Sequence, residues 1–176
     1  MTITIISFSF KRGLPEDLTG NGGGFVFDCR AMPNPFWDET LRGYTGRDKP
    51  VVDFFARFQE MVEPFLDAAE RLVRQSIAEY LKDGRDHLQV AFGCTGGQHR
   101  SVYFAERMAA RLSGIDGVEI EVAHTAMPYW KTIHLRENRD GISQETSCDG
   151  AVRWKWGSRS RRPMTLCLRI FLCRRR

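Results

Sequence analysis

The sequence contains no C-x-x-C pair, no H-E-x-x-H and no other tight grouping of metal-ligating residues. Its five cysteines (Cys29, Cys94, Cys148, Cys167 and Cys173) form an odd set that suits neither a disulfide framework nor a thiolate zinc site. Its four histidines (His87, His99, His124 and His134) are scattered. No metal and no cofactor is expected, and reduced thiols fit a cytoplasmic location. Long apolar runs are also missing: no stretch approaches the roughly 18 uncharged residues that a membrane span needs. The opening "MTITIISFSFKRG" carries its charges after its apolar run, the reverse of a signal peptide. The glycines of Gly20–Gly24 do not have the G-x-G-x-x-G spacing, and G-x-x-x-x-G-K-[ST] occurs nowhere, which removes the usual sequence grounds for a dinucleotide or ATP site. Acidic residues are absent after Gly150, where residues 151–176 hold nine Lys or Arg; residues 1–150 hold 17 basic and 22 acidic residues. The formal charge of +4 thus describes a basic tail on a mildly acidic body.

What is present is enough to bury a core: 176 residues, 42% hydrophobic and 11% aromatic. "TITIISFSF" reads as a β-branched, aromatic first strand ending near Phe10. "FVFD" (25–28) reads as a short buried strand, and the Pro- and Gly-punctuated stretch from Cys29 to Pro50 is longer than a connector needs and reads as a functional loop. Pro50 is placed to open a helix, and Pro64 to sit in the first turn of a second. There Phe65, Leu66, Ala69, Leu72, Val73, Ile77 and Leu81 recur at three- and four-residue steps, the mark of one apolar face against a sheet. A strand "LQVAF" (88–92), a helix from about His99 to Leu112 and a strand "VEIEV" (118–122) follow. This alternation predicts an α/β fold: a single domain with a mixed or mostly parallel sheet flanked by helices. Regular patterning fades after about Pro128, so residues 1–128 read as the domain and 129–176 as an irregular extension with a basic tail, in which "TLCLRIFLC" is a candidate strand.

The segment "GCTGGQHRS" (93–101) lies where the strand at 88–92 turns into a helix. Such a turn exposes successive backbone N–H groups at a helix N-terminus, where unpaired donors and the macrodipole favour an anion. Gly96 and Gly97 permit positive φ and close backbone approach, Thr95 and Ser101 supply hydroxyls, Arg100 offers a bidentate fork, and His99 adds charge below neutral pH. Asp28 and Arg30 end the strand at 25–28, and either project into the same cleft or form a local ion pair that fixes the loop. Lys11 and Arg12 either help hold an anion or solvate a turn. His124 is read as structural. Trp154, Trp156 and Phe171 among the nine cations of the tail either stack on single-stranded bases or belong to a nonspecific extension.

The same nine residues support a catalytic alternative. Cys94, Gly97, Arg100 and Ser101 fit C-x-x-G-x-x-R-S, the phosphate loop of cysteine-dependent phosphatases, in which a thiolate attacks phosphorus while the arginine and backbone amides hold the transferring oxygens. Gly93 stands where those enzymes carry a histidine, and no motif marks an aspartic general acid.

Over residues 5 to about 127, "SFSFKRGLP", "FVFDCRAMPNPFWDETLRGYTGRDKPV" and "VAFGCTGGQHRSVYFAERMAARL" resemble, in order, the C-terminal domain of the RNase adapter family RapZ (YvcJ type). The resemblance implies a sensing and adapter role without catalysis. It implies an amino-sugar phosphate ligand, glucosamine-6-phosphate in one branch, together with RNA and protein partners, a kinase-like domain among them. It places Cys94, Thr95, Gly96, Gly97, His99 and Arg100 at the anion site. Phe36 stands where one branch of the family carries a histidine after "NP", so an apolar ring replaces an imidazole donor.

Overall fold

The computed structural model describes residues 1–17, 20, 23–131, 144–146 and 152–154. Chain contacts divide it into two units, Met1–Ile133 and His134–Arg176. In the second unit a strand Gln144–Thr146 pairs antiparallel with Val152–Trp154. The candidate strand "TLCLRIFLC", Trp156 and Phe171 lie outside the described residues.

In the first unit, strands β1 (Thr2–Ser9), β2 (Gly24–Asp28), β3 (His87–Cys94) and β4 (Glu119–His124) form one all-parallel sheet in the order β2-β3-β1-β4. Helices α1 (Lys49–Ala56) and α2 (Gln59–Lys82) connect β2 to β3, and α3 (Arg100–Leu112) connects β3 to β4. The expected α/β class holds, and every strand pairing is parallel. Register brings the strand ends together: Ser9 pairs with Cys94, Asp28 with Gly93 and Ser7 with His124. The carboxyl ends of four strands therefore share one rim, the place where open α/β sheets hold ligands.

Alternation along the strands sorts the core. The registered pairs Ile3–Leu88 and Ile5–Val90, with Phe92, pack with Val62, Leu66, Ala69, Val73 and Ile77 of α2 and with Phe104, Ala105, Met108 and Leu112 of α3. Each of these larger side chains contributes about 1.5–3 kcal/mol on burial. Ile6 and Ala91 point to the opposite face and cluster with Phe8, Phe10 and Ala123.

Three expectations change. β2 is an edge strand and not a buried one: among the described residues no strand pairs beyond it, Phe25 and Phe27 pack against the core, and Gly24, Val26 and Asp28, on the opposite face, are exposed. Pro64 lies inside α2 and not in its first turn, since the helix begins five residues earlier at Gln59 and forgoes one intrahelical bond at the proline. Leu72 and Leu81 are exposed, so the apolar stripe of α2 is narrower than its spacing suggests. Among the described residues no helix is long and apolar enough to cross a membrane.

The stretch between β2 and α1 is built from three consecutive 3-10 turns, Cys29–Ala31, Pro35–Trp37 and Glu39–Leu41. Each is opened by a short acceptor side chain: Asp28 takes the Arg30 N–H at 2.8 Å, Asn34 that of Phe36 at 3.4 Å, and Asp38 that of Thr40 at 3.0 Å. Asp48 then accepts from both the Thr45 N–H (2.6 Å) and the Thr45 hydroxyl (2.9 Å). Asx turns thus supply the order that a regular element would have given.

Candidate anion-binding site

β3 enters the site through Gly93, where an added Cβ would lie 2.4 Å from the Phe8 ring and 2.5 Å from the Phe10 ring, so only glycine lets those rings close over the strand. The turn then reverses at Gly97, whose φ of 71° is the left-handed conformation that glycine adopts without strain. Thr95 and Gly96 are exposed at its crest, and nothing lies within 4 Å of a Cβ built on Gly96. The Gly96 N–H meets no acceptor among the described residues.

Beneath the crest the side chains are committed to holding the turn. The Cys94 thiol, 3% exposed, accepts the Gly97 N–H at 3.2 Å and lies 3.2 Å from the Ser101 hydroxyl, which is fully buried. Ser9 donates its hydroxyl to the Thr95 carbonyl at 2.8 Å, joining the ends of β1 and β3. His99 is buried, with Nε2 3.1 Å from the Leu41 carbonyl. Burial pushes it below its ordinary value of 6.5, outweighing the carbonyls of Leu41 and Tyr44 that favour its charged form. At neutral pH it is therefore a neutral donor that anchors the 41–44 loop.

Arg100 is 7% exposed and donates from Nη1 to the carbonyls of Arg30 (2.8 Å) and Met32 (3.3 Å). No carboxylate lies within ion-pair distance of it among the described residues. Its donated bonds go to backbone carbonyls, and the nearest acid whose charge it stabilises, Asp28, is ion-paired to Arg30 instead, so the guanidinium stands beside the exposed turn without a direct carboxylate contact. Asp28 and Arg30 form a close ion pair on the surface at 2.6 Å. The hydrogen bonds from Arg30 hold the Asp28 carboxyl below its usual range. Arg30 also covers the Phe10 ring at 4.1 Å, and Arg12 covers the Tyr129 ring at 3.2 Å.

Several residues at the site were not singled out by sequence. Gln98 joins three segments: its Nε2 donates to the carbonyls of Arg42 (3.1 Å) and Tyr44 (2.8 Å), its Oε1 accepts the Lys131 N–H (3.0 Å), and its own carbonyl accepts the Gly46 N–H (2.9 Å). Trp130 donates its indole N–H to the Gly97 carbonyl at 2.8 Å. Gly46 has no room for a side chain, because a Cβ would lie 2.2 Å from the His99 carbonyl oxygen. His124 is held on both sides, by the Ser7 hydroxyl at 2.7 Å and Glu106 at 2.9 Å, in keeping with a structural role. Gln98 lay inside the nine-residue motif, but its partners are distant in sequence and nothing local marks them.

Residues 1–128 match the sequence profile described as the RapZ C-terminal domain. The chain is 46% identical over 116 residues to a nucleotide-binding protein of Bordetella avium, covering 66% of this chain and 38% of that protein. It is 44% identical over 122 residues to one of Paraburkholderia xenovorans, covering 69% of this chain and 38% of that protein. To one of Chromobacterium violaceum it is 43% identical over 113 residues, covering 64% and 38%. The chain thus spans about two-fifths of the length of these relatives. It belongs to the RapZ C-terminal domain family.

Proposed function

We propose that this chain is a regulatory adapter domain that senses a small phosphorylated metabolite at the turn from Cys94 to Ser101. The observation that carries this reading is Arg100, a nearly buried guanidinium with no carboxylate in ion-pair contact among the described residues, four residues after the exposed and sterically open Gly96. Lys11, Arg12, Arg30 and Lys131 follow the same strand ends or contact the same turn, against Asp28 as the nearby acid. A phosphate is the chemistry that this balance favours. The relatives' name, nucleotide-binding protein, agrees with a phosphate-bearing ligand; the family resemblance points more narrowly to an amino-sugar phosphate. In this reading residues 1–128 are the binding body, and the extension at 129–176 contributes its basic tail. The exposed Phe36, with the Arg42 guanidinium over its ring, and the exposed Trp37 beside it in sequence support single-stranded RNA as a partner of the body.

Calorimetry with phosphorylated sugars tests the site. Arg100→Ala is expected to weaken binding by about 1.5–3 kcal/mol, the range for hydrogen bonds to charged groups. Because Arg100 also satisfies the Arg30 and Met32 carbonyls, Arg100→Lys provides a second variant that keeps the charge but loses the fork. Wild-type affinity in both variants would remove Arg100 from the site.

One observation favours a second reading. The Gly97 N–H and the Ser101 hydroxyl both converge on the Cys94 sulfur, the arrangement a phosphatase nucleophile would need.

A further inference from the structure

We propose that Gln98 is the positioning residue of the anion turn, and that its side-chain amide, strung between the 42–44 carbonyls and the Lys131 N–H, sets the direction in which the Thr95 and Gly96 amides point. The inference rests on the anion-site reading above and deepens it. Gln98 is 8% exposed and uses both ends of its amide, two donated bonds and one accepted. Only a primary amide of this length can do so: a carboxylate lacks the donors, asparagine is one methylene short, and an apolar side chain gives up all three part-buried bonds.

The position of these bonds matters more than their number. Gln98 directly follows Gly97, whose N–H is held by the Cys94 sulfur and whose carbonyl is held by the Trp130 indole. It directly precedes His99, whose ring is tied to Leu41. The carboxyl side of the turn is thereby fixed from three directions, by the 41–46 loop, by the 130–131 segment and by the sulfur below it. Among the described residues, the crest at Thr95 and Gly96 has only the Ser9 hydroxyl on the Thr95 carbonyl. A glycine pair cannot hold its own orientation, since glycine loses more conformational freedom on ordering than any other residue. The orientation is imposed from Gln98, and the ligand meets donors that are already aimed.

The test uses the full chain, inorganic phosphate as the probe, and two readouts. Gln98→Met keeps the length and removes the amide. It is expected to bind phosphate about tenfold more weakly at a temperature where it remains folded, with the Thr95 and Gly96 amide resonances displaced in the ligand-free protein. A purely structural role would lower the melting temperature and leave affinity and those resonances unchanged, and that result overturns the proposal. Should Gln98→Met not fold, the other end of the tether can be cut. Lys131→Pro removes the N–H that Gln98 accepts, and Trp130, at φ −64° and ψ 135°, already has the extended backbone that a following proline requires. Compared with Lys131→Ala, which controls for the lost charge, it is expected to bind phosphate several-fold more weakly; equal affinity overturns the proposal. A wild-type chain that binds neither phosphate nor a sugar phosphate overturns the anion-site reading and this inference with it, whereas binding unaffected by the Gln98 and Lys131 variants overturns only the latter.

Discussion

Gly97 and Ala126 are in such close contact that a Cβ added to Gly97 would lie 2.5 Å from the Ala126 Cβ, with the Ser9 Cβ at 3.0 Å behind it. Gly96, one residue earlier, faces open space. Of the two adjacent glycines, packing and backbone conformation demand Gly97, whereas the fold leaves room for a side chain at Gly96.

Substitution separates the two requirements. Gly97→Ala is expected to destabilise the fold by about 2–4 kcal/mol, combining the cost of a left-handed alanine with overpacking. Gly96→Ala is expected to stay within about 1 kcal/mol of wild type in denaturant melts and yet to lose most of its phosphate affinity, because its methyl group occupies the approach to the crest. A Gly96→Ala chain that binds phosphate normally would move the ligand away from the turn.

Cys94 decides between sensor and enzyme. If the thiol only supports the Gly97 N–H and contacts Ser101, the wild-type chain will not turn over p-nitrophenyl phosphate above a buffer blank, and Cys94→Ser will still bind phosphate. Turnover that disappears in Cys94→Ser would establish the phosphatase reading and end the adapter proposal.

His99 makes the fold acid-sensitive. Its folded pKa is depressed by burial, so the unfolded chain takes up a proton first as pH falls. The neutral ring's contribution is whole above the ordinary value of 6.5 and is lost as pH falls from there through the lower folded value. Melting temperature should therefore decline as pH falls below 6.5, and less steeply in His99→Gln, which retains a donor for the Leu41 carbonyl. Parallel pH profiles for the two proteins would contradict this assignment.

RNA binding is expected to be shared between body and tail. Single-stranded RNA affinity falls with a log–log salt slope of about −0.7 per phosphate neutralised, so removing residues 151–176 and their nine cations should flatten the slope while leaving measurable binding. Filter binding at several salt concentrations measures both terms. No RNA binding by either chain would refute the RNA partner and leave the phosphate site in place.

The elements that could be read from sequence were those whose signal is local. The β-branched run of β1, the apolar stripe of α2 and the strand–turn–helix around Gly96 and Gly97 each declare themselves within a few residues. What could not be read depends on distant partners. β2 looked buried because "FVFD" is apolar, but burial is decided by its place at the sheet edge. Pro64 reads as a helix opener because proline favours the first turn, although Val62, four residues before Leu66, already continues the apolar stripe upstream of it. Gln98 reaches carbonyls 56 and 54 residues away, and Trp130 reaches a carbonyl 33 residues away, so neither tether leaves a local trace.

The central position of β1 also shapes the order of assembly. Thr2 pairs with both His87 and Glu119, so the first strand of the unit has no neighbour until the chain has grown past the one and no second neighbour until it has grown past the other. Pairings this remote are slow to form and leave apolar strand surface waiting in the meantime. The rim that holds the turn exists only once Ser9 and Cys94 are in register, since the Ser9 hydroxyl and the Thr95 carbonyl then meet. Competence to bind phosphate should thus arise late, as the closing event of folding, and a ligand present at that moment would act as a trap for the finished sheet.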